Sequence, residues 1–145
     1  MSTENIATAA AMTVLCVDDE LNILKSLKRL LRKQNYQLVL AESAVMALEI
    51  MHQQDVHLIM SDMKMPAMSG AQLLEKISMS YPNTYRILLT GYSDEESIVD
   101  AVNKGTIHRF LQKPWDNNEI TSAIEEGLAE LRLKQALINN ANANQ

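Results

Sequence analysis

The chain holds a single cysteine, Cys16, among 145 residues, so no internal disulfide framework is available and a reducing compartment is expected. Cys16 lies in the apolar run Val14, Leu15, Val17, which reads as a buried, inert thiol. Aromatic residues are only 4% of the chain against 47% hydrophobic overall, so the core must be built from aliphatic side chains and methionine. Long apolar runs are missing too: nothing reaches the roughly 18 residues of a membrane span. Met1 to Met12 carries Glu4 and no basic residue, unlike a secretory signal, and a cytoplasmic location is expected. Positive charge is scarce. There are 13 Lys and Arg against 18 Asp and Glu, a net charge of −5, so direct nucleic-acid binding by this chain is not expected. A DNA-reading function would have to sit on another domain. There is no internal repeat. His52, His57 and His108 lack metal-ligand spacing and are read as structural or surface residues.

What is present is an alternation of two hydrophobic patterns. Short β-branched and aliphatic runs predict strands at Thr13–Val17, Gln37–Ala41, Val56–Ser61, Arg86–Thr90 and Arg109–Gln112. A longer helical pattern follows each. In the first helix Ile23, Leu24, Leu27, Leu30 and Leu31 form one stripe, and Lys25, Lys28, Arg29, Arg32 and Lys33 fall mostly on the other face, read as solvated surface. Further helices are expected from Ser43 to Gln53, from Gly70 to before Pro82, from Asp94 to Gly105, and from Asp116 towards Leu137. Five strands alternating with five helices predict an α/β fold, a doubly wound (βα)5 sandwich of flavodoxin type with a parallel sheet in order 2-1-3-4-5. Leu58–Met60 and Ile87–Leu89 are apolar on both sides, as central parallel strands require. One domain is expected over residues 12–130, after a flexible segment over 1–11. A helix extension and a disordered tail or linker are expected over 131–145, because Asn139 to Gln145 is rich in Asn and Ala.

Polar residues mark the carboxyl ends of the strands. Asp18, Asp19 and Glu20 follow the first, Asp62 ends the third, Thr90 ends the fourth, and Lys113 and Pro114 follow the fifth. In an open parallel sheet these ends form the ligand crevice at the point where strand order reverses. Three clustered carboxylates without His or Cys suit Mg²⁺, which takes one or two protein carboxylates, waters and phosphate oxygens. One carboxylate is then placed to attack phosphorus, with metal, Lys113 and Thr90 balancing the phosphoryl charge. Taken singly, each residue has a plainer reading: Asp19 or Asp94 as a helix cap, Lys113–Pro114 as a turn. Four strands offering such groups at the same end favour a site. Met60, Met63, Met65 and Met68 are read as packing around the acceptor loop, not as a soft-metal site.

The segments Val14 to Glu20 (VLCVDDE), Ser61 to Gly70 (SDMKMPAMSG), Leu88 to Gly91 (LLTG) and Phe110 to Trp115 (FLQKPW) resemble the receiver domain of bacterial two-component response regulators. The resemblance runs from about Met12 to about Leu128. It implies Asp62 as the phospho-acceptor and Mg²⁺ as cofactor, held by Asp18, Asp19, Asp62 and the main-chain carbonyl of Lys64. It implies Thr90 and Lys113 as phosphoryl-binding groups and a cis Lys113–Pro114 peptide. Thr90 and Phe110 would form the switch, with Phe110 standing where many relatives have tyrosine. Lys64 and Tyr92 would tune the dephosphorylation rate by shielding the phosphoryl group. The implied partners are a histidine kinase or histidine phosphotransfer protein, and an output domain or partner protein reached through the surface of the fourth helix, fifth strand and fifth helix. The Lys-Pro-Trp motif resembles receivers found ahead of phosphodiesterase or transcription-activator domains. The apolar stripe Ile120, Ile124, Leu128, Leu131, running towards Leu137, leaves open core packing or pairing as a homodimer or linker helix. No turnover of an outside substrate is expected. Two other readings compete. A haloacid-dehalogenase-like phosphatase wants a second acid two residues after the nucleophile, where this chain has Lys64. A degenerate receiver acting as a scaffold need not keep Asp18, Asp19, Asp62, Thr90 and Lys113 together.

Overall fold

A computed structural model of the chain describes residues 12–91 and 95–143. The strands are β1 (Thr13–Val17), β2 (Gln37–Ala41), β3 (Leu58–Asp62), β4 (Tyr85–Thr90) and β5 (Arg109–Gln112). The helices are α1 (Leu21–Leu31), α2 (Ala44–Gln53), α3 (Gly70–Ser80), α4 (Glu95–Lys104) and α5 (Asn117–Ala143). All strand pairs are parallel and the sheet order is β2-β1-β3-β4-β5, as the sequence predicts.

Strand side chains alternate between faces, and both faces are covered. Val14, Cys16, Met60 and Ile87 turn to α1 and α5, where they meet Leu27, Leu31, Ile120, Ile124 and Leu128. Leu15, Val17, Ile59 and Leu88 turn the other way, to Ala47, Leu73, Leu74, Ile77 and Ala101 of α2, α3 and α4. Met63 is buried in that second cluster, and Met65 and Met68 pack against it, so the methionines fill space around the loop after β3.

The helix boundaries follow side-chain chemistry. The Ser43 hydroxyl accepts from the Met46 amide and opens α2. Ser69 and Gln72 form a reciprocal capping box at α3, and Asp116 and Glu119 exchange the same pair of bonds at α5. Gly105, at φ 70°, closes α4 in the left-handed conformation that glycine permits. Asp94, expected to cap α4, lies outside the described residues.

Three boundaries differ from the sequence expectation, the smallest being β4, which begins at Tyr85 and not at Arg86. β3 runs Leu58–Asp62, not Val56–Ser61. His57 is already used at the sheet's lower rim, where it donates its N–H to the Thr13 carbonyl and accepts the Thr13 N–H at Nδ1. At the upper end Asp62 stays in register with Leu89, so the strand carries it to the rim. α5 is also unbroken through Asn139 to Ala143, where its composition predicts fraying. Asn costs a helix only tenths of a kcal/mol, about 0.7 at most, and no Gly or Pro follows Gly127. Gly127 itself lets α5 lie close on the sheet, since a Cβ there would meet the Tyr85 ring at 2.7 Å. No helix among the described residues is long and apolar enough to cross a membrane.

Candidate functional site at the carboxyl rim of the sheet

The strand order places β1 and β3 side by side, with α1 and α3 leaving on opposite faces. The crevice between them receives Asp18 and Asp19 from the end of β1 and Asp62 from the end of β3. Each offers a carboxylate oxygen within 4.8 Å of the other two. Asp18 is 1% exposed and Asp62 7%, while Asp19 faces solvent. Asp19 is not a helix cap: α1 is capped by Glu20 without any side-chain bond. That plainer reading fails, which leaves the three-carboxylate cluster.

The cluster is electrostatically incomplete. Asp18 Oδ1 accepts the Glu20 amide at 2.9 Å, while its Oδ2 is buried without a partner among the described residues. Burial, followed by the charges of Asp62 and Asp19, pushes the Asp18 carboxyl up to about 6, against the opposing pull of the Glu20 amide and Lys113. Two ionised groups less than 5 Å apart repel by about 3 kcal/mol at an effective dielectric near 20. A buried, orphaned carboxylate oxygen beside two further hard oxygen donors fits a small divalent cation such as Mg²⁺.

From the far side Lys113 closes the pocket. Its Nζ lies 2.7 Å from Asp62 Oδ1. Burial works against the ammonium charge, but the hydrogen bond and charge of Asp62, with Asp18 and Glu20, outweigh it and hold Lys113 above the ordinary lysine value. The Lys113 ammonium also lies 5.4 Å from the Trp115 ring centroid, and Lys113–Pro114 is a cis peptide. The Lys113 amide donates to the Thr90 carbonyl at 2.7 Å, so the end of β4 fixes the root of the lysine. Thr90 is fully buried, and its hydroxyl donates to the Leu111 carbonyl on β5 at 3.4 Å. Phe110, next to that carbonyl, is 42% exposed and points outward. Lys64 is exposed in the loop after Asp62. Tyr92 lies outside the described residues.

Three contributors have no sequence-only assignment to the site. Gly70 comes so close to Asp62 that a Cβ would collide with the Asp62 carbonyl, and its amide binds the Met63 carbonyl at 2.8 Å. Ala67 holds φ 69° in the same loop, a left-handed conformation unusual for alanine. Trp115 lies beside the lysine; its adjacency to Lys-Pro, as the chain's sole tryptophan, was the available signal.

A doubly wound parallel sheet with an acidic crevice at its carboxyl rim and an opposed lysine sets the class of the fold and the polarity of the site. The sequence profile of the response regulator receiver domain matches residues 14–125, and the chain belongs to that family. It is 29% identical over 123 residues to the hydrogenase transcriptional regulatory protein HoxA of Bradyrhizobium diazoefficiens, covering 85% of this chain and 25% of that one. It is 30% identical to sporulation initiation phosphotransferase F of Bacillus subtilis, covering 79% of this chain and 92% of that one. A crystal structure of the signal receiver domain of an HD domain-containing protein from Pseudomonas fluorescens Pf-5 superposes with TM-score 0.79 at 39% identity, covering 83% of this chain and 96% of that one. The chain thus spans about a quarter of the length of HoxA. Membership in the receiver family favours that reading over the phosphatase.

Proposed function

We propose that this domain accepts a phosphoryl group on Asp62 from a histidine kinase or histidine phosphotransfer protein in the cytoplasm. The observation that carries the proposal is the pairing of Lys113 with Asp62 at 2.7 Å across from the Asp18–Asp19–Asp62 cluster. An Asp62 carboxylate oxygen attacks phosphorus, the bond from phosphorus to the donor's imidazole nitrogen breaks, and the imidazole keeps that electron pair. The product is an acyl phosphate. Asp18, Asp19, Asp62 and the Lys64 carbonyl would hold Mg²⁺, which when bound neutralises charge on the phosphoryl oxygens. Lys113 exchanges its Asp62 oxygen for a phosphoryl oxygen. Thr90 leaves the Leu111 carbonyl and donates to another phosphoryl oxygen.

The Thr90 step ties chemistry to output. Its hydroxyl is held by the backbone beside Phe110, so releasing that bond frees β5 to draw Phe110 inward. The surface of α4, β5 and α5 would then change and engage a partner or output domain. Such a switch is a two-state equilibrium biased by the new charge. HoxA is named as a transcriptional regulator and the Pseudomonas relative as an HD domain-containing protein; an output of either kind is compatible with the proposal. Lys64, two residues after Asp62, and Tyr92, two residues after Thr90, would shield the phosphoryl group from water, giving a long-lived phospho-form.

Incubation with Mg²⁺ and acetyl phosphate should add one phosphoryl group that survives acid and is lost in base. Asp62→Asn should abolish the gain. No gain in the native chain, or an equal gain in Asp62→Asn, sinks the proposal and favours a scaffold role. Multiple turnover of a phosphomonoester would point instead to a phosphatase.

A further inference from the structure

The charge on this domain is sharply divided. Five of its 13 basic residues (Lys25, Lys28, Arg29, Arg32 and Lys33) lie within nine positions of α1 and its end, leaving eight cations against 18 carboxylates elsewhere. No carboxylate falls between Leu21 and Tyr36. All five are exposed, and none forms an ion pair among the described residues.

Beside this stripe runs the free edge of the sheet. β2 is an end strand and pairs only with β1. The Gln37 amide donates to the Met12 carbonyl and the Ala41 carbonyl accepts from the Asp18 amide, so the odd-numbered residues of β2 face β1. Backbone direction alternates along a strand, so the N–H and C=O groups of Leu38 and Leu40 point outward, and no described group bonds to them. Leu38, Val39 and Leu40 are half-buried. A depression of about 510 Å³ lies along them, bordered by Lys28, Arg32 and Tyr36.

Edge strands are usually closed by a charge, a proline or a bulge on the strand itself. β2 reads Gln-Leu-Val-Leu-Ala and has no charge or proline. The cations come from the neighbouring helix, and that selects the partner. Pairing of two copies through β2 would bring two sets of Lys28 and Arg32 together and is disfavoured by repulsion. An extended segment bearing carboxylates gains backbone bonds, apolar contact and opposite charge at once. A duplex nucleic acid would engage the helix alone and leave the strand edge unused. We propose that the β2 edge, flanked by Lys28 and Arg32, docks an extended acidic polypeptide segment, which adds to the sheet beside β2.

The test is amide NMR on the full chain, titrated with a short peptide alternating valine and glutamate. The Leu38 and Leu40 amides should shift, and their hydrogen exchange should slow about tenfold or more at saturation. The same peptide with lysine for glutamate should do neither. Lys28→Glu combined with Arg32→Glu should weaken binding about tenfold. Leu40→Pro removes an outward donor without touching a bond to β1 and should abolish binding with the far-UV spectrum unchanged. If that variant unfolds, the double charge reversal, confined to exposed positions, still decides. The proposal is overturned by unchanged exchange at Leu38 and Leu40, by equal binding of the lysine peptide, or by shifts limited to α1 that a DNA duplex reproduces.

Discussion

Asp18 carries the largest electrostatic cost in the crevice. Its carboxyl is raised from 3.8 to about 6 by burial first, then by its acidic neighbours. A carboxyl raised in the folded state stabilises the fold at low pH, and that contribution disappears as pH rises from 3.8 through 6. At neutral pH without a divalent ion the fold therefore bears a penalty of up to about 3 kcal/mol. Asp18→Asn should stabilise the metal-free protein by about 1–2 kcal/mol, seen as a higher urea midpoint, while weakening the stabilisation that added Mg²⁺ confers. A lower midpoint in the variant would contradict the assigned strain. Ala67 offers a second residue-level test. Its left-handed φ of 69° costs roughly 1–2 kcal/mol, part of which Ala67→Gly gives back as unfolded-chain entropy. A net gain of about 0.5–1 kcal/mol is expected in urea denaturation, and a loss would mean that the Ala67 methyl has a packing role.

At the scale of elements, most of the architecture was legible because the three inner strands, β1, β3 and β4, bury both faces. Leu58–Met60 and Ile87–Leu89 read as central strands from their unbroken apolar character, and both prove fully or almost fully buried. The Ser43 cap and the Gly105 stop were legible for local reasons, since a hydroxyl and a missing Cβ act within one turn. The gathering of Asp18, Asp19, Asp62 and Lys113 could be anticipated, because strand order alone brings those ends together. Contacts set by tertiary distance were not legible. Nothing near Gly70 in sequence announces that it lies against the Asp62 carbonyl, and nothing near Gly127 announces the Tyr85 ring. The length of α5 escaped as well, since a weak helix former is tolerated when no breaker follows it. Gly127→Ala separates these scales. Helix propensity favours alanine by about 1 kcal/mol, but the new Cβ would meet Tyr85 at 2.7 Å and Leu58 at 2.9 Å. Overpacking should win, with a net loss of about 1–2 kcal/mol and a lower Tm. A rise in Tm would show that Tyr85 yields freely.

For the molecule as a whole, acid should act in opposite senses at the two ends of the sheet. At the lower rim, burial and then the charges of Arg86 and Lys134 hold His108 down at about 4, and its Nδ1 accepts the Arg86 amide at 2.9 Å. A histidine depressed in this way contributes stability that is whole above about 6.5 and is lost as pH falls towards 4. Part of the imidazole is open to solvent, which screens the effect. At the upper rim Asp18 works the other way in the metal-free state. Between pH 6.5 and 4 the two trends should partly cancel without Mg²⁺. Saturating Mg²⁺ favours ionised Asp18, so the loss of stability on acidification should steepen. Urea midpoints across that range, with and without the ion, check this; parallel curves would refute it. The same long axis has a mechanical side. α5 starts one capping residue after Trp115, beside the lysine, and continues for 27 residues, with residues 133–142 exposed. Its first turns are fixed to the sheet by Ile120, Ile124 and Leu128, and at 1.5 Å per residue the exposed turns beyond them form a stiff lever of about 15 Å, so a tilt of about 10° where α5 leaves the core carries the far end about 3 Å. A small change in how Leu128 and Leu131 seat on the sheet can thus appear at the distal turns of α5 as a displacement wide enough to make or break a side-chain contact.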